Sequence, residues 1–328
     1  MDLSTPILVN ALFGISVSII IGISYSNYKR NKIPQRWKKV GKISDLYFFP
    51  IKSCGRLKGI NQVQCSAIGV QHQFLQDRTF MVMKENEKRF VTARQYPEMV
   101  QIGSSIQNDK MIISAPNMDN IEIDIRKILA KNEIMYPEMW DNARVKVYDC
   151  GDNIADWLSE FISKKHEKLR LVFYPFSVPT RAVRPVNSIF SESSPDHVGA
   201  LHDATSFMLI NENSIKELNS RLDSKVDALY FRPNFVLDGP IAFDEDNYKW
   251  IKIGDDTIMK VIQPCTRCSF TNIDPHLGKR RKDGEPLKTL KEYRKFPKIG
   301  ESPVMGIHLG MINQGTVKIG DPVFVQAD

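Results

Sequence analysis

Cys265-Thr266-Arg267-Cys268 sets two thiols three residues apart with a guanidinium beside the second. Ser269-Phe270-Thr271-Asn272-Ile273-Asp274-Pro275 follows with hydroxyl, amide and Asp-Pro groups. A neighbouring cation favours the thiolate, the form that ligates a metal or attacks an electrophile. Three readings fit the pair. A structural zinc site needs two more Cys or His ligands at suitable spacing, and neither His276 nor His308 forms a paired motif with the cysteines. A dithiol redox pair is followed by a helix start, whereas Ser269 to Pro275 reads as strand and then turn. The third reading is a buried, inert pair.

Four shorter signatures could grip an anion. Lys52-Ser53-Cys54 follows Pro50 at a strand end, and a lysine with a hydroxyl at a loop edge suits a phosphate. Asp77-Arg78, Thr92-Ala93-Arg94-Gln95 and Phe231-Arg232-Pro233-Asn234 each set an arginine beside an aromatic, a proline or a strand end. There its fork could hold a phosphate or a carboxylate, or equally a structural ion pair. No G-x-S-x-G, H-E-x-x-H, G-x-G-x-x-G or P-loop occurs, and His202-Asp203 has no serine nucleophile motif to serve. Hydrolase and nicotinamide-binding classes are therefore unsupported.

The elements that carry these groups are short and β-rich. Strand-like runs at 41–52, 78–84, 100–106, 111–114, 121–125, 144–148 and 256–262 are bounded by Gly, Pro, Asn or Asp. They mostly alternate, which predicts antiparallel sheet or barrel. Residues 151–164 place Ile154, Trp157, Leu158, Phe161 and Ile162 on one helical face, and 213–222 predicts a second helix N-capped by Ser214. The Pro- and Ser-rich stretch 175–203 reads as a binding loop or a surface connection. Residues 316–325 give a strand–turn–strand signal.

With 328 residues the chain can hold two ordinary domains. Five scattered cysteines suit a reducing compartment rather than a disulfide scaffold. The net charge of +7 is local: seven basic residues and one acid precede residue 43, and the remainder is 38 basic against 37 acidic. A nucleic-acid partner is not implied. Residues 279–298 are an exception, with nine basic residues against three acids, which reads as a solvated face or a steering patch. Residues 7–24 are uncharged and as a helix would reach roughly 27 Å, enough for a bilayer core. The basic flank beyond them would keep the body cytosolic. We expect a membrane anchor over 1–25, a basic linker over 26–42, a β-rich domain ending in a helix over 43–178 and a second β-rich domain over 179–328.

FPIKSC at 49–54, DR at 77–78, VTARQ at 91–95, LNSRL at 218–222, FRPN at 231–234, CTRC at 265–268 with DPHLG after it, and GDPV at 320–323 run in this order through nearly the whole chain. Together they resemble the MOSC family, and within it the mitochondrial amidoxime-reducing components. The resemblance implies an α+β, β-rich fold: an N-terminal MOSC β-barrel domain plus a MOSC β-barrel domain, preceded by a single transmembrane helix. It implies a molybdenum cofactor, Mo-molybdopterin, between the two halves. Cys268 would be the catalytic thiolate ligand to the metal, with Thr266 and Arg267 around the cofactor. Lys52, Ser53, Arg78, Arg232 and Asn234 would hold its phosphate and pterin. Thr205 falls where the family has a binding hydroxyl, while Ala204 stands where it tends to have threonine. A soft thiolate suits high-valent molybdenum, and cations with hydroxyls suit a phosphate.

The resemblance further implies reduction of N-hydroxylated compounds such as amidoximes and N-hydroxylamines. Electrons would come from NADH through NADH-cytochrome b5 reductase and cytochrome b5, with the body on the cytosolic face of the mitochondrial outer membrane. Other MOSC proteins suggest an alternative, a sulfur carrier holding a persulfide on the cysteine for molybdenum-cofactor sulfuration. The anchor and the lack of an aminotransferase-like domain favour the reductase.

Overall fold

The computed structural model describes residues 32–327. The apolar run at 7–24 lies outside them, and among the described residues no helix is long and apolar enough to cross a membrane. Seven strands close into a barrel: Trp37–Leu46, Phe207–Asn211, Phe235–Asp238, Trp250–Ile253, Thr257–Thr266, Val304–Asn313 and Pro322–Gln326. Trp37–Leu46 pairs antiparallel with Phe235–Asp238 on one side and with Pro322–Gln326 on the other. The first strand of the chain thus completes the C-terminal barrel. Residues 37–42 are strand rather than the expected linker; the exposed Lys38, Lys39 and Lys42 interrupt the apolar alternation there.

Residues 62–173 form open sheets in place of a second closed barrel. A five-stranded sheet runs in the order Ile134–Met135, Val147–Asp149, Leu169–Phe173, Phe80–Lys84, Arg89–Phe90. A three-stranded sheet holds Gly103–Gln107, Lys110–Ser114 and Ile121–Ile123. In a four-stranded sheet Gly315–Lys318 pairs with Gln62–Ser66. The strand–turn–strand expected at 316–325 therefore spans two sheets and ties the halves together. One apolar cluster runs from Phe80 and Leu158 to Phe207 and Leu309. Each such side chain contributes about 1.5–3 kcal/mol by leaving water, so the halves form one body with a crevice between them.

The amphipathic helix forms as Asp152–Ser163 and lays Ile154, Leu158 and Ile162 on the core. The second helix is Glu212–Ser220, capped by Asn211, whose side chain accepts from Asn213 N. Ser214 is not the cap; it is buried and donates to Glu245. Helices Ile125–Lys131 and Leu287–Tyr293 have only seven residues each, too few for a helical period to register. The stretch 175–203 is pinned. Arg181 donates to the carbonyls of Val198, Ala200 and His202, and Gln263 Nε2 donates to Asn187 Oδ1 at 3.2 Å. It delivers residues 202–205 to the crevice.

Candidate active site

Three non-glycine residues facing the crevice adopt left-handed backbone: Ser53 at φ 66°, Arg78 at φ 50° and Arg232 at φ 53°. That conformation costs about 1 kcal/mol or more apiece and persists where surroundings over-determine it. Asp77 supplies much of the determination. Fully buried, it accepts from Phe49 N at 2.7 Å and Asn234 Nδ2 at 3.2 Å, meets His202 Nε2 at 3.1 Å, and pairs with Arg78. Burial pushes its carboxyl up, but Arg78, His202 and the Phe49 amide outweigh that and hold it at about 2. His202, buried and only partly offset by Asp77, falls to about 4 and is neutral at pH 7.

Cations gather above this hub. The Arg78 and Arg232 guanidiniums lie 4.9 and 4.0 Å from the centroid of the same Phe49 ring. Arg232 Nη1 donates to Cys54 O at 2.7 Å, while its Nη2 is buried without a partner. Burial, with Arg78 beside it, pulls Arg232 down to about 9. Lys52 is buried and bridged to Asp203, and donates to Leu201 O at 2.7 Å; burial brings it to about 8 against the pull of Asp203. Such crowding of like charge, with an orphaned N–H, is a site built for an anion.

The thiols line the same cleft. Strand Thr257–Thr266 carries Cys265 into the protein, and Cys268 begins a 3-10 turn at Ser269–Asn272 instead of the expected strand. Cys268 is exposed, and the guanidinium that reaches it is Arg94, Nη1 to Sγ 3.8 Å. Arg267 turns inward. It donates to Met305 O through Nε at 2.9 Å and to Phe231 O through Nη1 at 2.9 Å. Its charge falls on Cys265: burial pushes that thiol up, but Arg267 and His308 bring it down to about 7. His308 also meets Thr205 Oγ1 at 3.1 Å.

Residues 40–165 match the MOSC N-terminal beta barrel domain and residues 196–324 the MOSC domain. The chain is 34% identical to mitochondrial amidoxime-reducing component 1 of Mus musculus over 89% of its own length and 84% of the relative's. Identity is 34% to component 2 of Bos taurus and 32% to component 1 of Homo sapiens, each over 88% of this chain and 84% of the relative. The chain belongs to the amidoxime-reducing component family.

All nine residues expected from the family's motifs line one cleft. Lys52, Ser53, Arg78, Thr205 and Arg232 are among them, as are Thr266, Arg267 and Cys268, and Thr205 meets His308 beside Cys265. Asn234 lines it too, but its amide is occupied: Nδ2 serves Asp77, and Oδ1 accepts from Met208 N at 3.2 Å. It and Arg267 shape the cleft walls rather than present free donors. Ala204 is also in the lining. Arg94, Asp77, His202 and His308, named in the sequence only as parts of short signatures or as unpaired histidines, join the nine at this site. The arginine in VTARQ and the aspartate of DR were visible as signatures, whereas the roles of His202 and His308 depend on tertiary contacts. His276 pairs with Asp227 away from the thiols, and among the described residues no group of three His, Cys, Asp or Glu is placed to hold a metal.

Proposed function

We propose that this amidoxime-reducing component family member is a molybdenum-cofactor oxidoreductase that reduces N-hydroxylated compounds such as amidoximes and N-hydroxylamines. The observation that carries the reading is the pairing, in one cleft, of a buried Arg232 N–H without a partner among the described residues and an exposed thiol. The fit to Mo-molybdopterin is chemical. A phosphate would complete Arg232 beside Arg78 and Lys52, which Asp77 and Asp203 hold in place, and Ser53 stands at the same turn. Cys268 would supply a soft thiolate to the metal, with Thr266 beside it. When bound, that cofactor supplies two-electron reduction of the N–O group.

The chain's own residues bind, orient and tune. Asp77 fixes Arg78 and, through Phe49 N, the backbone beneath the cation pair. Arg94 lies against the Cys268 sulfur. Arg267 braces the segment between the two thiols on Met305 and Phe231. Electrons would arrive from NADH through cytochrome b5 reductase and cytochrome b5, whose acidic face matches the basic run at 279–298. The relatives' names point to mitochondria, and the run at 7–24 suits an outer-membrane anchor with the body in the cytosol. The deciding experiment measures molybdenum and pterin in the purified full chain alongside benzamidoxime reduction by a chemical donor. Stoichiometric metal with turnover is expected; a metal-free protein with no turnover overturns the reading.

A further inference from the structure

Arg94 is the charged group whose side chain reaches the exposed thiol, and it holds no ion pair among the described residues, although Asp203 attracts it. Its Nη1 lies 3.8 Å from Cys268 Sγ, its Nε reaches only the Thr92 hydroxyl at 3.4 Å, and among the described residues no carboxylate forms an ion pair with it. Two acids stand near. Asp203 is already bridged to Lys52 and accepts from Trp140 Nε1, and Asp141 is taken by Arg184 at 2.9 Å. The protein also fixes Arg94 in place. Its guanidinium sits 4.4 Å from the Trp140 ring centroid, and Arg280 Nη2 grips its backbone carbonyl at 2.8 Å. Arg184 lies 5.2 Å from that Trp140 centroid, its own charge held by Asp141. Such positioning is more than a thiolate needs, because it builds a cationic wall where a small molecule must approach.

From this we infer that Arg94 is a specificity residue that makes the thiol-bearing mouth reject cations, admitting uncharged N-hydroxylated substrate and expelling its cationic product. The inference rests on the proposed N-reductase activity. An amidoxime is neutral at pH 7, whereas the amidine formed from it is protonated: R–C(=NOH)NH2 + 2 e⁻ + 3 H⁺ gives R–C(NH2)2⁺ and water. The N–O bond breaks, its oxygen leaves as water, and the electrons come from the one-electron donor chain. Substrate and product differ little in shape, so shape alone discriminates poorly between them, whereas a fixed like charge acts on the product only.

The test uses full-length protein carrying its cofactor, with reduced methyl viologen as donor and benzamidoxime as substrate. Benzamidine serves as the cationic product and benzamide as its uncharged comparator. In the unmodified protein benzamidine should inhibit at least about five-fold more weakly than benzamide. Arg94→Gln should close that gap, whatever it does to the turnover rate, and Arg94→Lys should restore it. Titration calorimetry of benzamidine into the oxidised protein gives a readout without turnover. Its affinity should rise with salt in the unmodified protein, because screening weakens repulsion, and should not rise in Arg94→Gln. An unchanged benzamidine-to-benzamide ratio in a folded Arg94→Gln, or an Arg94→Lys that behaves like it, overturns the inference. Absence of benzamidoxime reduction by the unmodified protein is instead a failure of the N-reductase reading, and calorimetry still decides whether the mouth rejects cations.

Discussion

At the scale of single residues, two thiols three positions apart have different surroundings and different expected roles. Cys268 is exposed beside Arg94, while Cys265 is buried beside Arg267 and His308. Cys268→Ala should abolish amidoxime reduction, and Cys265→Ala should cost no more than about ten-fold, the usual scale for a neighbour that only supports a metal ligand. Equal losses would favour a disulfide or persulfide mechanism. The Asp77–His202 pair makes a second prediction. His202 stands at about 4 in the fold, against about 6.5 unfolded. The unfolded chain therefore takes the proton first, and stability drops as pH falls from about 6.5 to 4. Asp77 stands at about 2, against about 3.9 unfolded. Its contribution is complete above pH about 4 and is lost as pH falls toward 2. Thermal melts from neutral to acidic pH should decline in these two stages. Asp77→Asn should remove the lower stage and cost about 3–5 kcal/mol near pH 7. A melting temperature that stays flat between pH about 6.5 and 4 would contradict this assignment. The sequence told which residue types gather here, because CTRC, FPIKSC and FRPN carry them. It could not tell that Arg267 faces Cys265 and Arg94 faces Cys268, since orientation depends on a strand end and a contact spanning 174 positions.

At the scale of elements, the short strands were legible because alternation and turn residues are local properties. Their partners were not. Residues 37–42 looked like linker because lysines occupy the exposed positions there, yet the strand Trp37–Leu46 closes the barrel between strands nearly two hundred or more residues away. Packing at such seams is testable with two glycines of equal backbone angle. Gly59 and Gly306 both have φ of +76°. Nothing lies within 4 Å of a methyl added at Gly59, whereas one at Gly306 would strike the Met208 side chain and come within 2.6 Å of Leu209 O. Gly59→Ala should therefore cost only the left-handed backbone term, about 1–2 kcal/mol. Gly306→Ala should cost about 2 kcal/mol more in urea unfolding, because strands Phe207–Asn211 and Val304–Asn313 must separate to admit it. It should also loosen Met305, whose carbonyl holds Arg267. Equal costs at the two sites would show that this seam yields freely.

At the scale of the whole molecule, the basic run at 279–298 is the one large departure from a balanced body, but the structure divides its charges. Arg294 is buried on Asp246 and Val304 O, and Arg281 pairs with Asp283. Arg280, though exposed, holds the Arg94 carbonyl. These three support the cleft and its surroundings. Lys279, Lys282, Lys288, Lys291 and Lys298 are exposed and form none of the described ion pairs, so they are the charges free to steer an acidic electron donor. Surface charges of this kind change encounter rates more than they change folding or affinity. Reversing Lys279, Lys282 and Lys288 to Glu should slow cytochrome b5-driven turnover by roughly ten-fold at low salt, with turnover by methyl viologen almost unaffected. The deficit should shrink as salt rises, since screening limits exposed charges to about 8 Å at physiological ionic strength. Arg280→Glu should behave differently and impair both donors, because it releases Arg94 beside the thiol. If the lysine reversals and Arg280→Glu depress both donors alike, the run belongs to the architecture of the cleft, and the electron donor docks elsewhere.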